Sequence, residues 1–137
     1  MKTTVFIFLC FMAVSVSNAQ VVDFKGTWTM YDMTYVTGEG TQKMTEDQMK
    51  ANGMSTDLFF MEEGKFKQTS NMSGSGTMDS YEGTWKIAES KLIITLKIGE
   101  QNIDVDYTYE FKENVLVLTR TSPDGTMKIV SSYRKKQ

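Results

Sequence analysis

Histidine is missing from this 137-residue chain, cysteine occurs once, at Cys10, and proline once, at Pro123. Without histidine, the usual general base and the commonest metal ligand are both gone. Cys10 lies inside an apolar N-terminal run. Once that run is removed, no disulfide, thiolate metal site or cysteine nucleophile can form. An excess of positive charge is lacking too: the formal net charge is -2, which argues against nucleic acid as a partner. Beyond the N terminus, no apolar stretch approaches the length of a membrane-crossing helix. What the chain does have is a succession of short alternating runs divided by turn residues, with almost no helical pattern.

The N terminus reads as an address. Lys2 supplies a positive charge, residues 5–16 form an apolar core, and Ser17-Asn18-Ala19 places small residues at the two recognition positions before Gln20. This pattern predicts a secretory signal peptide over 1–19, cleavage after Ala19, and a single exported domain over 20–137, periplasmic or secreted. The new N-terminal Gln20 can cyclise. A lipoprotein signal using Cys10 would need a small residue before the cysteine, whereas Leu9 stands there and the apolar run continues through Phe11-Met12-Ala13-Val14. No stable membrane anchor is expected.

Turn chemistry divides the rest at short intervals. Residues 24–36 make a long first strand, rich in Thr, Tyr, Val and Trp, ended by Gly38-Glu39-Gly40. Thr45 is placed to cap one short helix, with Glu46 and Asp47 in its first turn and Asn52-Gly53 as its stop. Strands follow at 58–62, 65–72, 77–88, 91–98, 102–112, 115–121 and 126–134. Glu63-Gly64 marks a tight hairpin, and Ser122-Pro123-Asp124-Gly125 a β-turn in which proline presets the second position. Eight consecutive strands joined by tight turns predict an all-β fold, an eight-stranded antiparallel up-and-down barrel with one short helix after the first strand. Closure removes the exposed edges.

Alternation assigns faces. Ile103, Val105, Tyr107, Tyr109 and Phe111 share one face of their strand, and Asp104, Asp106, Thr108, Glu110 and Lys112 the other. The same rule puts Tyr81, Trp85 and Ile87 inside. Ile93 blurs the pattern of Leu92, Ile94, Leu96 and Ile98. In the first strand the Trp28 and Tyr31 parities compete, and a bulge would let both point inward in turn. The candidate ligand-facing set is Tyr31, Met33, Phe60, Phe66, Met72, Tyr81, Tyr107, Leu118, Arg120 and Ile129, with the 45–52 helix as lid. Arg120 shares parity with Leu116 and Leu118; pointing inward, its guanidinium needs an anion or a carbonyl.

Gly26-Thr27-Trp28 heading the first strand, the helical insertion, a second Gly83-Thr84-Trp85, and Ser132-Tyr133-Arg134-Lys135 closing the last strand together resemble the calycin group. The nearest match is the small bacterial lipocalin-like domain of exported proteins, with the fatty-acid-binding proteins as more distant relatives. The resemblance implies that Gly26 and Trp28 form a plug at the closed end, with an Arg from a late strand, Arg120 or Arg134, packed across the indole. Fatty-acid-binding proteins hold the ligand carboxylate with an Arg two residues before a C-terminal Tyr. Here that position is Ser131, so the clamp does not carry over.

No catalytic residues, cofactor or metal are assigned. Met30 and Met33 suit Cu(I) chemically but point to opposite faces of a regular strand. Asp104, Asp106 and Glu110 could in principle serve acid and base chemistry, yet such a face is ordinarily solvated. The expected function is binding of a small hydrophobic molecule in the barrel, whose methionines (11 in the chain) would give an adaptable lining. The alternative is a ligand-free interaction or inhibitor barrel acting through loops near 38–54 or 73–77. Its signature would be a filled interior.

Overall fold

The computed structural model describes residues 23–137. The expected signal peptide, Cys10 and the cleavage point before Gln20 lie outside the described residues. Strand β1 (Gly26–Thr37) turns through Gly38-Glu39 into β2 (Gly40–Met44), and helix α1 (Glu46–Ala51) follows. The remaining strands are β3 (Ser55–Phe60), β4 (Lys65–Asn71), β5 (Asp79–Ala88), β6 (Lys91–Ile98), β7 (Gln101–Lys112), β8 (Val115–Thr121) and β9 (Met127–Lys135). From β3 to β9 every strand pairs antiparallel with the next, and β1 pairs with both β3 and β9. Eight strands thus close a barrel, as the meander of tight turns predicts.

β2 is the ninth strand, which sequence reasoning missed. It pairs with Met33 to Thr37 of β1, whereas β3 pairs with Gly26 to Thr29 on the same side. The link between β2 and β3 carries α1, so the helix interrupts what would otherwise be one continuous neighbour of β1. Thr41, Gln42 and Lys43 are all exposed, so there is no apolar alternation to mark them as a strand. Backbone pairing to β1 alone makes them one. β3 likewise begins at Ser55 rather than 58, because Thr56 faces inward as a buried polar residue.

The helix forms where its signals stand. Thr45 Oγ1 accepts from the Gln48 backbone N–H at 3.3 Å while the Gln48 side chain accepts from the Thr45 N–H at 2.9 Å, a reciprocal capping box. Gly53 follows the helix at φ 64°, a conformation glycine adopts without penalty.

A bulge decides the faces of β1. Its register against β9 shifts between Met30 and Asp32, so Trp28 and Met30 face inward below the shift and Met33 and Tyr35 above it. Both competing parities are therefore used, but Tyr31 sits in the irregularity and turns outward. β6 resolves with Leu92 and Ile94 buried and Ile93 less so. Ile87 and Ile103, expected inside by parity, are 42% and 41% exposed because they lie near strand ends, beyond the covered wall. Gly83 permits the close approach of β5 and β6: a Cβ there would collide with the Thr95 carbonyl oxygen.

One end of the barrel is closed by aromatic packing. Trp28, 2% exposed, donates its indole N–H to the Phe24 carbonyl at 2.8 Å. Phe24 stacks edge-on against Phe111 at 4.8 Å, Phe60 against Phe66 at 5.2 Å, and Trp28 against Phe111 at 5.9 Å. Such tilted pairs each add about 0.5–1.5 kcal/mol beyond their burial. Trp28 is thus buried in this aromatic packing, and the cation across its ring is neither Arg120 nor Arg134. Lys135 lies over the Trp28 ring at 5.4 Å, because residue 135 shares the inward parity of Ser131 and Tyr133, whereas Arg134 faces out.

Candidate functional site

Above the aromatic plug the barrel holds a cavity of about 360 Å³, within the range of small-molecule sites. Its floor is formed by Met30, Leu58, Ile94, Leu118 and Tyr133, which also pack on the core. Thr56, Gln68 and Ser70 of β3 and β4, and Ser131 of β9 across β1, are its polar wall groups. Towards the mouth, Met33 and Tyr35 of β1 stand beside Ile129 of β9, which is paired in turn with Arg120 of β8, and Met72 and Tyr107 complete the lining.

The strands supply these groups by simple alternation. Thr56 and Leu58 come from β3, Gln68 and Ser70 from β4, and Leu118 and Arg120 from β8, each pair two residues apart and so on one face. Thr56 and Ser70 satisfy each other, their hydroxyls 2.9 Å apart. Burial raises the Tyr133 phenol well above the ordinary tyrosine value, a charge on Tyr107 would add to the rise, and Ser131 opposes it. Burial also raises Tyr107, with Arg120 pulling it back. The buried part of the cavity therefore disfavours negative charge, and the only guanidinium in its lining lies at the exposed end of β8.

Of the candidate residues, Met33, Met72, Tyr107, Leu118, Arg120 and Ile129 line this cavity. Phe60 and Phe66 share the inward parity but lie lower, inside the plug, where they are 2% and 1% exposed. Tyr81 is half-buried and lines neither this cavity nor the cleft beside the helix. Met30 and Met33, expected on opposite faces of a regular strand, meet in one cavity because the bulge lies between them. Met30, Tyr35, Thr56, Leu58, Gln68, Ser70, Ile94, Ser131 and Tyr133 line it too and were absent from the candidate set. A search for apolar alternation overlooks inward hydroxyls and amides, although Thr56 and Ser70 keep strict parity with Phe60 and Phe66.

Tyr31 belongs to a second cleft, of about 280 Å³, between the outer face of the barrel and α1, where Met49 and Met54 also lie. The Arg134 guanidinium sits 3.8 Å above the Tyr31 ring and 2.8 Å from the Glu46 carboxylate. Lys50 and Arg134 hold that carboxyl below its ordinary value. Arg134 therefore pins the helix to the barrel and does not cover the plug. Asp104 accepts from the Thr95 hydroxyl at 2.6 Å on the exposed face of β7.

The model of the lipocalin-like domain matches residues 24–118. The chain belongs to the lipocalin-like domain family. Among solved structures, a lipocalin-like protein from Bacteroides uniformis is 17% identical, with a TM-score of 0.52 over 82% of this chain and 97% of that one. An uncharacterized protein from Bacteroides eggerthii is also 17% identical, with a TM-score of 0.53 over 83% of this chain and all of the other. Fatty-acid-binding protein 1 of Echinococcus granulosus is 14% identical, with a TM-score of 0.42 over 83% and 98% of the two chains. No curated protein matches the chain. At these identities the two Bacteroides structures share the lipocalin-like fold, and the family assignment rests on the domain match.

Proposed function

We propose that this lipocalin-like protein is an exported binding protein that holds a small, largely apolar molecule in the barrel interior. The observation that carries the reading is the unfilled upper half of the barrel, with three methionine side chains in its lining. Thioethers adapt to ligands of varied shape. Binding rather than catalysis fits the placement of the carboxylates, since Asp104 and Asp106 are exposed on the outer face of β7 and not in the cavity lining. The interaction-barrel alternative requires a filled interior and lacks that support. Export rests on the sequence of residues 1–19 alone.

Native mass spectrometry of protein purified from its source tests both parts. The expected result is an adduct of small-molecule mass on a chain beginning at a cyclised Gln20. A ligand-free mass, together with no saturable binding of a hydrophobic fluorescent probe to folded protein, would remove the binding reading. A diacylglyceryl mass on Cys10 would remove the assigned cleavage.

A further inference from the structure

The three methionines that line the cavity stand closer together than their numbering implies. On a regular strand Met30 and Met33 would face opposite ways, and one metal ion could not take both. The bulge places them otherwise. Met30 is level with Tyr133, Asp32 with Ser132 and Met33 with Ser131, so Tyr31 is the extra residue and the two methionines lie about 7 Å apart along the strand. Both line the cavity, and Met72 joins them. Met72 follows Ser70 by two residues, Ser70 is paired with Thr56 of β3, and β3 is the neighbour of β1. It therefore stands two strands from β1, about 10 Å away at the ordinary strand spacing. Each sulfur hangs on an unbranched chain of rotatable bonds, so the three can converge on one point between them.

We infer that Met30, Met33 and Met72 form a site for one soft monovalent metal ion, Cu(I), held by three neutral thioethers. This goes beyond the binding function proposed above and shares only its cavity. Thioethers are soft donors that select Cu(I) over hard or divalent ions, and the rest of the lining offers a hard ion little. It contains no carboxylate, imidazole or thiolate. Burial keeps the Tyr133 phenol neutral, so it supplies no anionic oxygen. Among the described residues no cluster of acidic side chains is placed to hold a metal elsewhere. Arg120 is the one like charge in the lining, and it is exposed, where solvent and salt screen it. Met30 also borders the cleft beneath α1 with Met49 and Met54, but there Lys50 and Arg134 against the single carboxylate of Glu46 leave an excess of positive charge. The ion enters and leaves as Cu(I), with no electron transferred.

The test uses folded protein with carbon-13 in its methionine methyl groups, titrated with silver nitrate in chloride-free buffer, since Ag(I) is a redox-stable probe for Cu(I). The methyl signals of Met30, Met33 and Met72 should shift together and saturate at one equivalent. Met61, Met78 and Met127, exposed on the surface, should not have moved by that point, and Zn(II) should shift none of them. Met30→Leu, Met33→Leu and Met72→Leu each keep an apolar side chain of similar volume and should leave binding of a hydrophobic fluorescent probe within about twofold. Each should weaken Ag(I) by about tenfold or more, since even the groups behind a metal ligand are worth that much. X-ray absorption of protein loaded with Cu(I) under reducing conditions should show a shell of sulfur alone.

Shifts at Met49 and Met54 in place of Met33 and Met72 would overturn the assignment in favour of the outer cleft. Gradual shifts of the exposed methionines, with no break at one equivalent, would reduce it to adventitious surface binding. Zn(II) binding as tightly as Ag(I), or unchanged Ag(I) affinity in the three leucine variants, would overturn the thioether site. Failure of Ag(I) with the hydrophobic probe still bound would overturn this inference alone, whereas failure of the probe with Ag(I) bound would remove the proposed binding function and leave the metal site standing.

Discussion

Single side chains in this barrel carry separable duties. Trp28 joins β1, the Phe24 segment and Phe111 in one buried contact, and its indole N–H is satisfied by the Phe24 carbonyl. Trp28→Ala should therefore destabilise by about 3–5 kcal/mol, read from the midpoint of denaturant unfolding. A loss below about 1 kcal/mol, typical of surface sites, would show that it is not the plug. Asp124 lies at the opposite extreme, exposed in the turn before β9. Its carboxylate accepts from the Ser122 hydroxyl, the Thr126 backbone N–H and the Thr126 hydroxyl, which together push its pKa from 3.8 down to about 2. Because the folded value lies below the unfolded one, whatever the ionised turn contributes is complete above the ordinary value and fades as pH falls towards about 2. A carboxyl-carbon titration by NMR should place the midpoint there, and a midpoint near 3.8 would contradict the hydrogen bonding. Trp28 was legible in the sequence because the Gly-x-Trp at the strand head stands in order with the helical insertion, a second Gly-Thr-Trp and the closing Tyr-Arg-Lys. Lys135 over the indole was not, since one residue of parity separates it from Arg134.

Elements were legible to the degree that burial imposed a pattern on them. β7, with Val105, Tyr107, Tyr109 and Phe111 inward, alternates because one side is covered and the other wet. β2 has no covered side, so nothing in Thr41-Gln42-Lys43 distinguishes it from a loop. The upper wall of the cavity was partly hidden for a related reason, since Thr56, Gln68 and Ser70 face inward without being apolar. Inward parity near the mouth can be tested directly. Ile129→Phe should reduce saturable binding of a hydrophobic probe more than it reduces stability, whereas Lys128→Ala, on the exposed face, should change neither. Equal effects of the two changes would contradict the placement of β9. The helix has its own local test. Thr45→Ala removes the hydroxyl of the capping box and should lower stability by about 1 kcal/mol. If α1 also guards the cleft over Tyr31, hydrogen exchange at Met49 to Met54 should quicken in that variant while exchange in β6 and β7 stays unchanged.

At the scale of the molecule, a plugged end and an open end give the barrel a direction. Aromatic rings fill one half and the cavity occupies the other, so stability and the proposed binding reside largely in different layers. The seam between β1 and β9 has a further consequence, for the order in which the molecule can come into being. Trp28 is paired with Lys135 and Thr37 with Met127, so the first strand of the barrel waits for the last. Until β9 is available, β1 and β8 are both raw edges, each a template for another chain. Contacts so distant along the chain also make folding slow. A chain stopped after Gly125 should therefore be a sticky intermediate that assembles with its own copies, detectable by light scattering, and adding the 126–137 peptide in trans should return it to monomers. Synthesis and folding of this protein are in that sense separated by its final dozen residues, and whatever escorts the nascent chain must shield those two edges until they meet.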